Sequence, residues 1–262
     1  MARHIITGID IGSTQTKVII AEGLSPKIIG TGISETREVE RGYITNSAEC
    51  SESLRTAVER AEKMAGVKAR RAFVSFSGIG LTSLSASGST SITRADMEIT
   101  ERDLSAALEA AEASASSGEQ ALNKKIINTI PIEWKIDGKP VWGEPKGLKA
   151  HKLEVRALFI TCLEHHLAEL IKTVEGAGLE VVDIVAAPVA ASFVTVSKKQ
   201  RRVGAMLADI GAETLSIIVF ENNNLVSLEV FPIGGADITN DIALGLKVSL
   251  EEAETIKLGG LS

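Results

Sequence analysis

Aromatic residues are scarce, with two Trp, one Tyr and six Phe in 262 residues, and basic charge is not in excess. The 28 Lys and Arg are outweighed by 34 Asp and Glu, leaving a formal charge of −6 and a pI near 5.4. Nothing in this balance points to a general nucleic-acid or anionic-membrane binder. Cysteine is nearly absent. Cys50 and Cys162 lie far apart, without disulfide or metal spacing, which suits a reducing compartment. No apolar run approaches the roughly 18 residues of a membrane-spanning helix, and the amino terminus MARHIITGID lacks the apolar core of a secretory signal. A cytoplasmic protein is the expectation. The length allows one large domain or two small ones, and composition does not choose between them.

Apolar runs at 5–9, 17–21 and 27–33, each bounded by Gly, Ser or Pro, predict a β-meander. From 52 to 65, Leu54, Ala57, Val58, Ala61, Met64 and Ala65 recur at helical spacing, with Gly66 as a C-cap. The strand RRAFVSFSG follows. Beyond Gly80 the chain turns rich in Ser and Thr, then predicts a helix whose Leu104, Ala107, Leu108 and Ala111 share a face, with Thr100 and Asp103 as its capping box. The strand-like IINTIPIEWKIDG and LEVRALFIT close what reads as a small α+β unit inserted into a larger fold. Helix 164–175, with Leu167, Leu170, Ile171 and Val174 inward, feeds the apolar run LEVVDIVA, read as a buried strand. After SKKQRR a second meander is expected in VGAMLADIG, TLSIIVFEN and LVSLEVFPIG. Helices over GGADITNDIALGL and SLEEAETIKLGG follow, the latter with Ser249 and Glu252 as a capping box. The sequence then stops, and the second meander reads as part of an incomplete domain.

The segment DIGSTQTKVII (10–20) recurs as DIGAETLSIIV (209–219), each at the first turn of a meander. An internal repeat points to duplicated domains facing each other. Each copy offers an Asp at a strand end, a Gly that lets backbone amides approach a ligand, and small side chains that bond phosphate oxygens. Two such hairpins make a phosphate clamp, in which Asp10 and Asp209 hold a hydrated Mg²⁺. Taken alone, either hairpin is more often a plain tight turn than a ligand loop, and Lys17 a surface lysine; in the pair, Lys17 is placed to reach a β- or γ-phosphate. Gly234 and Gly235 open a helix and suit either an anion site or an ordinary strand-to-helix turn.

With these hairpins the chain resembles the actin/Hsp70 superfamily of ATPases. Within it, RGYITNSAECSESLRTAVERAEKMAG (41–66), AFVSFSGIGLTSLSASGSTSI (72–92), IPIEWKIDGKPVWGEPKGLKAHKLEVRALFIT (130–161) and GGADITNDIALGLKVSLEEAETIK (234–257) resemble the FtsA family of bacterial cell-division proteins. The resemblance implies an α/β actin-like ATPase fold of ribonuclease H-like domains with an inserted SHS2-type subdomain. Its boundaries would be 1–79 and 159–200 for the first actin-like subdomain, 80–158 for the insertion, and 201–262 for the start of an incomplete second one. It makes Asp10, Gly12, Ser13, Thr14 and Lys17 one phosphate loop and Asp209, Gly211, Ala212, Glu213 and Thr214 the other, and turns Glu254 and Lys257 toward a nucleoside. Without it that last pair is a solvated helical face. ATP and Mg²⁺ are the implied ligands. Implied partners are FtsZ and a membrane, both through segments absent from these 262 residues, further copies in a filament, and later division proteins through the insertion; nucleic acid is not among them.

One departure bears on mechanism. In many members of the superfamily that the chain resembles, a Glu or Gln stands before the Pro or small residue of the connecting helix to position water, and here IVAAPVAASF has Ala187 before Pro188. Slow hydrolysis at most is expected, with Thr214 or Glu213 left as alternative water-positioning groups. A pilus assembly adaptor of the same superfamily and a small-molecule kinase are the competing functions. Cys162, His165 and His166 offer too few convergent ligands for zinc. SKKQRR reads as a solvated hinge rather than a contact for lipid, and at least one of Trp134 and Trp142 as core.

Overall fold

A computed structural model describes residues 4–118 and 121–260. Strands β1 (Ile5–Ile11), β2 (Gln15–Glu22) and β3 (Lys27–Glu35) form the expected antiparallel meander. Alternation sets their faces: Val18 and Ile20 are buried while Lys17 and Ile19 point outward. A two-stranded clip, β4 (Val39–Glu40) and β5 (Tyr43–Ile44), precedes α1 (Ser47–Ala65). That helix begins before its apolar periodicity, because the Asn46 side chain accepts from the amides of Ala48 and Glu49. It ends, as expected, at Gly66 with φ 68°. It lies hard against β3, where a Cβ on Gly30 would stand 2.3 Å from the Ala61 carbonyl and one on Gly32 1.9 Å from that of Ala57. Strand β6 (Arg71–Phe76) then pairs in parallel with β1.

The inserted unit comprises β7 (Thr82–Ser91), α2 (Glu101–Ser116), β8 (Lys124–Ile136), β9 (Lys139–Val141) and β10 (Lys152–Leu163). Its antiparallel strands run in the order β7-β10-β8-β9, and α2 packs on one face around Leu104, Ala107, Ala111, Leu153, Val155 and Phe159. The capping box forms as read: Asp103 accepts from the amide and hydroxyl of Thr100, and the Arg94 guanidinium adds to it. Trp134 is buried in this core, whereas Trp142 is 99% exposed. Strand β10 is shared by two cores. Leu153, Val155 and Phe159 face the insertion's core, and Leu158, Ile160 and Cys162 face the main one.

Helix α3 (Glu164–Gly176) returns the chain to β11 (Glu180–Ala186), parallel to β6. The five-stranded sheet is thus β11-β6-β1-β2-β3. LEVVDIVA is an edge strand rather than the buried one its apolar run suggested, with Val182 exposed. Helix α4 (Ala187–Thr195) starts at the end of β11. SKKQRR is not an open hinge: it folds as α5 (Lys198–Val203), capped reciprocally by Ser197 and Gln200. Arg201 ties this helix back, donating to the carbonyls of Ser192 and Val196 between the rings of Phe193 and Phe220.

The second meander, β12 (Ala205–Ile210), β13 (Leu215–Glu221) and β14 (Asn224–Phe231), is followed by α6 (Gly235–Leu246) and α7 (Leu250–Lys257). The Ser249 hydroxyl accepts from the Glu252 amide. Strand β14 meets the insertion at the Glu229–Thr82 pair, beside the Ser83 hydroxyl, which donates to the Leu228 carbonyl and accepts from its amide. One seven-stranded sheet, β12-β13-β14-β7-β10-β8-β9, therefore joins the second meander to the inserted unit.

Candidate phosphate-binding site

The two copies of the DIG motif build the same turn. Gly12 donates its amide to the Gln15 carbonyl at 3.1 Å, and Gly211 donates to that of Thr214 at 2.8 Å. A Cβ added to either glycine would lie 3.2 Å from that same acceptor. The hairpins face one another across a cavity of about 210 Å³ lined by Asp10, Gly12, Ser13, Thr14, Gln15, Lys17, Gly42, Ser77, Ala187, Asp209, Ile210, Gly211, Ala212, Thr214 and Ser216. Cross-strand pairing explains part of this lining, since Lys17 is opposite Asp10 and Ser216 opposite Asp209.

The two aspartates sit in different surroundings. The Asp10 carboxylate accepts a hydrogen bond from the Ser75 hydroxyl. Partial burial, with the negative charge of Asp10 beside it, pushes the Asp209 carboxyl above the usual carboxylate range, and Lys17 pulls the other way. Two carboxylates, one ammonium and several hydroxyls around glycine backbone make a polar chamber suited to phosphate oxygens. Ala187, the first residue of α4, contributes a small apolar residue to the wall of the cavity.

Other expected residues lie elsewhere. Glu213 turns away from the cavity, and its carboxylate accepts from the Arg41 amide at 2.6 Å. The helix start behind Gly234 and Gly235 is not a free anion site. Gly234 donates to Asp237 at 2.7 Å, Gly235 to the Gly211 carbonyl at 2.9 Å and Ala236 to that of Ala212 at 2.7 Å, so these amides are used up in docking α6 onto the second hairpin. Gly234 is needed for closeness, because a Cβ there would stand 2.4 Å from the Ala212 carbonyl. Glu254 and Lys257 pair with each other at 2.5 Å. Lys257 also donates to Thr239 at 2.9 Å and to the Gly235 carbonyl at 3.1 Å, which fastens α7 to the start of α6. Hydrogen bonds from Lys257, then Thr239, lower the Glu254 pKa.

Sequence reasoning missed Gln15, Gly42, Ser75, Ser77, Ile210 and Ser216. The serines had a legible signal, since Ser75 and Ser77 alternate at the end of the strand expected beside the first hairpin. Gly42 had none. Among the described residues no group of three or more His, Cys, Asp or Glu could hold a metal ion.

Comparison with known proteins gives this site a context. The sequence model described as "Cell division protein FtsA" matches residues 206–261, and that described as "SHS2 domain inserted in FTSA" matches residues 78–161. The chain is 35% identical over 256 residues to the cell division protein FtsA of Bacillus subtilis (strain 168), covering 97% of this chain and 57% of the relative. With FtsA of Pseudomonas aeruginosa it shares 29% over 257 residues, covering 97% of this chain and 60% of the relative. It therefore spans somewhat over half the length of these relatives. In structure it is similar to the PilM-PilN type IV pilus biogenesis complex, with a TM-score of 0.70 at 16% identity, covering 96% of this chain and 68% of that one. It is also similar to the ethanolamine utilization protein EutJ from Carboxydothermus hydrogenoformans, with a TM-score of 0.54 at 18% identity, covering 98% and 62%. At such identities the likeness is one of fold. The fold is actin-like with an inserted SHS2 domain, and the sequence matches place the chain in the FtsA family of cell division proteins.

Proposed function

We propose that the protein is an ATP-binding, actin-like cell-division protein that holds nucleotide more than it turns it over. The observation that carries this reading is the convergence of both DIG hairpins on one polar cavity. Asp10, Gly12, Ser13, Thr14 and Lys17 would take one side of the phosphate chain, and Asp209, Gly211, Ala212 and Thr214 the other. The donor set fits Mg²⁺, which keeps most of its waters and needs few carboxylates; Asp10 and Asp209 would hold it through water, and the ion would neutralise phosphate charge. The methyl of Ala187 leaves attacking water unoriented, so hydrolysis is slow. In the assembled cell-division machinery the protein polymerises, links FtsZ to the membrane at the cytoplasmic face and recruits later division proteins through the inserted unit. These roles are supported by family membership. A pilus adaptor shares the fold, yet the relatives at 26–35% identity across nearly the whole chain are division proteins, which favours division.

Titration calorimetry with Mg-ATP tests the reading. Wild type should bind, and Gly12→Val and Gly211→Val, which fill equivalent positions in the two hairpins, should each weaken binding by about tenfold or more. Binding untouched by both substitutions would remove the cavity from the account. A single-turnover rate comparable to that of a vigorous ATPase would overturn the holding role.

A further inference from the structure

The β4–β5 clip touches three parts of the molecule that are distant in sequence. At Arg41, whose φ is 49°, the backbone amide donates to Glu213 at 2.6 Å across 172 residues. At Gly42, whose φ is 78°, the backbone lines the cavity, and a Cβ would stand 2.7 Å from both the Ser77 carbonyl and the Gly78 Cα. At Tyr43 the ring stacks on His166, with centroids 3.5 Å apart and planes 8° from parallel. The same ring fills the space over two glycines: a Cβ on Gly78 would lie 2.9 Å from it, and one on Gly80 2.3 Å from its hydroxyl. Gly78 and Gly80 belong to the segment entering the inserted unit, and His166 to the helix leaving it. Burial and the neighbouring His165 lower the His166 pKa, which favours the neutral ring in the stack.

We propose that Glu213 and Tyr43 are positioning residues that anchor the clip from its two ends, so that Gly42 stays against the phosphate chain of a bound nucleotide. Neither side chain touches the ligand. The proposal rests on the reading of the cavity as a phosphate site. It gives Glu213 a task different from the water-positioning one that its motif suggested. The Glu213 side chain is engaged by the Arg41 amide through one carboxyl oxygen. What the task requires is an acceptor oxygen; the negative charge is incidental.

The test compares Glu213→Ala with Glu213→Gln, and Tyr43→Ala with Tyr43→Phe, by Mg-ATP affinity and by hydrogen exchange at the Arg41 amide without nucleotide. Both alanine variants should bind about tenfold more weakly. Glu213→Gln and Tyr43→Phe, which keep an acceptor and a ring, should stay close to wild type. Arg41 exchange should accelerate in Glu213→Ala and remain slow in Glu213→Gln. A glutamine variant as weak as alanine would show that the charge acts directly on ligand or cation, and the proposal would fall. Alanine variants with wild-type affinity would also overturn it. If wild type binds no nucleotide, the phosphate reading fails and takes the positioning role with it; the Arg41 exchange pattern then shows separately whether the anchor exists. Should Glu213→Ala not fold, the Tyr43 pair reads the same question from the other anchor.

Discussion

Strand β1 of the first meander lies between β2 and β6 and contributes to the main core, whereas β12 of the second pairs only with β13 among the described residues. Met206 and Ile210 of β12 are accordingly each 67% exposed, while Ile9 and Ile11 of β1 are buried. The hairpins that leave these two strands nevertheless have matching amide-to-carbonyl bonds. Turn geometry is thus fixed by the glycine and its partner three residues on, and burial by whatever packs alongside. The site depends on the first property and stability on the second. The comparison can be broken or sharpened by substitutions whose effects should differ between the two regions.

The largest effect is expected where α1 meets β3. A methyl on Gly32 would overlap the Ala57 carbonyl at 1.9 Å and stand 2.8 Å from the Ala61 amide, both of them backbone atoms that move only with the helix. Gly32→Ala should therefore cost about 3 kcal/mol, at the upper end of overpacking penalties. Urea denaturation gives the number. A loss below about 1 kcal/mol, the lower end of that range, would mean that α1 sits on its sheet less firmly than this contact implies.

The next test separates the two aspartates that the repeat makes equivalent. Folding raises the Asp209 pKa, through burial and then the charge of Asp10. The folded state therefore holds its proton more tightly, so this group's stabilising contribution is full below the ordinary value of 3.8 and is lost as pH rises through the folded pKa. Near pH 7 its charge is a burden without a bound cation. Asp209→Asn without nucleotide should melt slightly above wild type at pH 7, and the advantage should close as pH falls below the ordinary carboxylate range. If Asp209 holds the cation as proposed, the order should reverse with Mg-ATP, because that carboxylate is gone. An asparagine variant that melts lower at pH 7 in the absence of nucleotide would show that Asp209 is held by contacts as favourable as the Ser75 hydroxyl that serves Asp10.

Legibility in the sequence followed the same division. The DIG hairpins, the Thr100–Asp103 cap and the Gly66 stop depend on residues within a few positions of one another, and all were readable. Features set by distant partners were not. LEVVDIVA has the continuous apolar character of a strand buried on both faces, but it ends up at an edge. Ser83 is one of many serines in its strand, and nothing local marks it as the residue that joins the insertion to β14. The charges of SKKQRR fit a solvated hinge, but Lys, Gln and Arg also favour a helix, and the segment forms one behind a Ser197–Gln200 cap. Glu213 and Gly234 fitted their motifs as ligand residues. Their real neighbours, the Arg41 amide and the Ala212 carbonyl, were invisible from the motif alone.

The smallest effect is expected at Gly245, in the last turn of α6, which is the counterpart of Gly32 in the less enclosed region. A Cβ there meets nothing within 4 Å, and its φ lies outside the left-handed range. Gly245→Ala should leave nucleotide affinity unchanged and stabilise the protein by up to about 1 kcal/mol, since alanine restricts the unfolded chain and favours the helix. The neighbouring Leu244 and Leu246 are exposed, so an added methyl has open space around it. The two glycine substitutions then give opposite signs for the same chemical change, one against backbone and one facing solvent. A destabilising Gly245→Ala would mean that this face of α6 is covered in solution, and the contrast between the two regions would narrow accordingly.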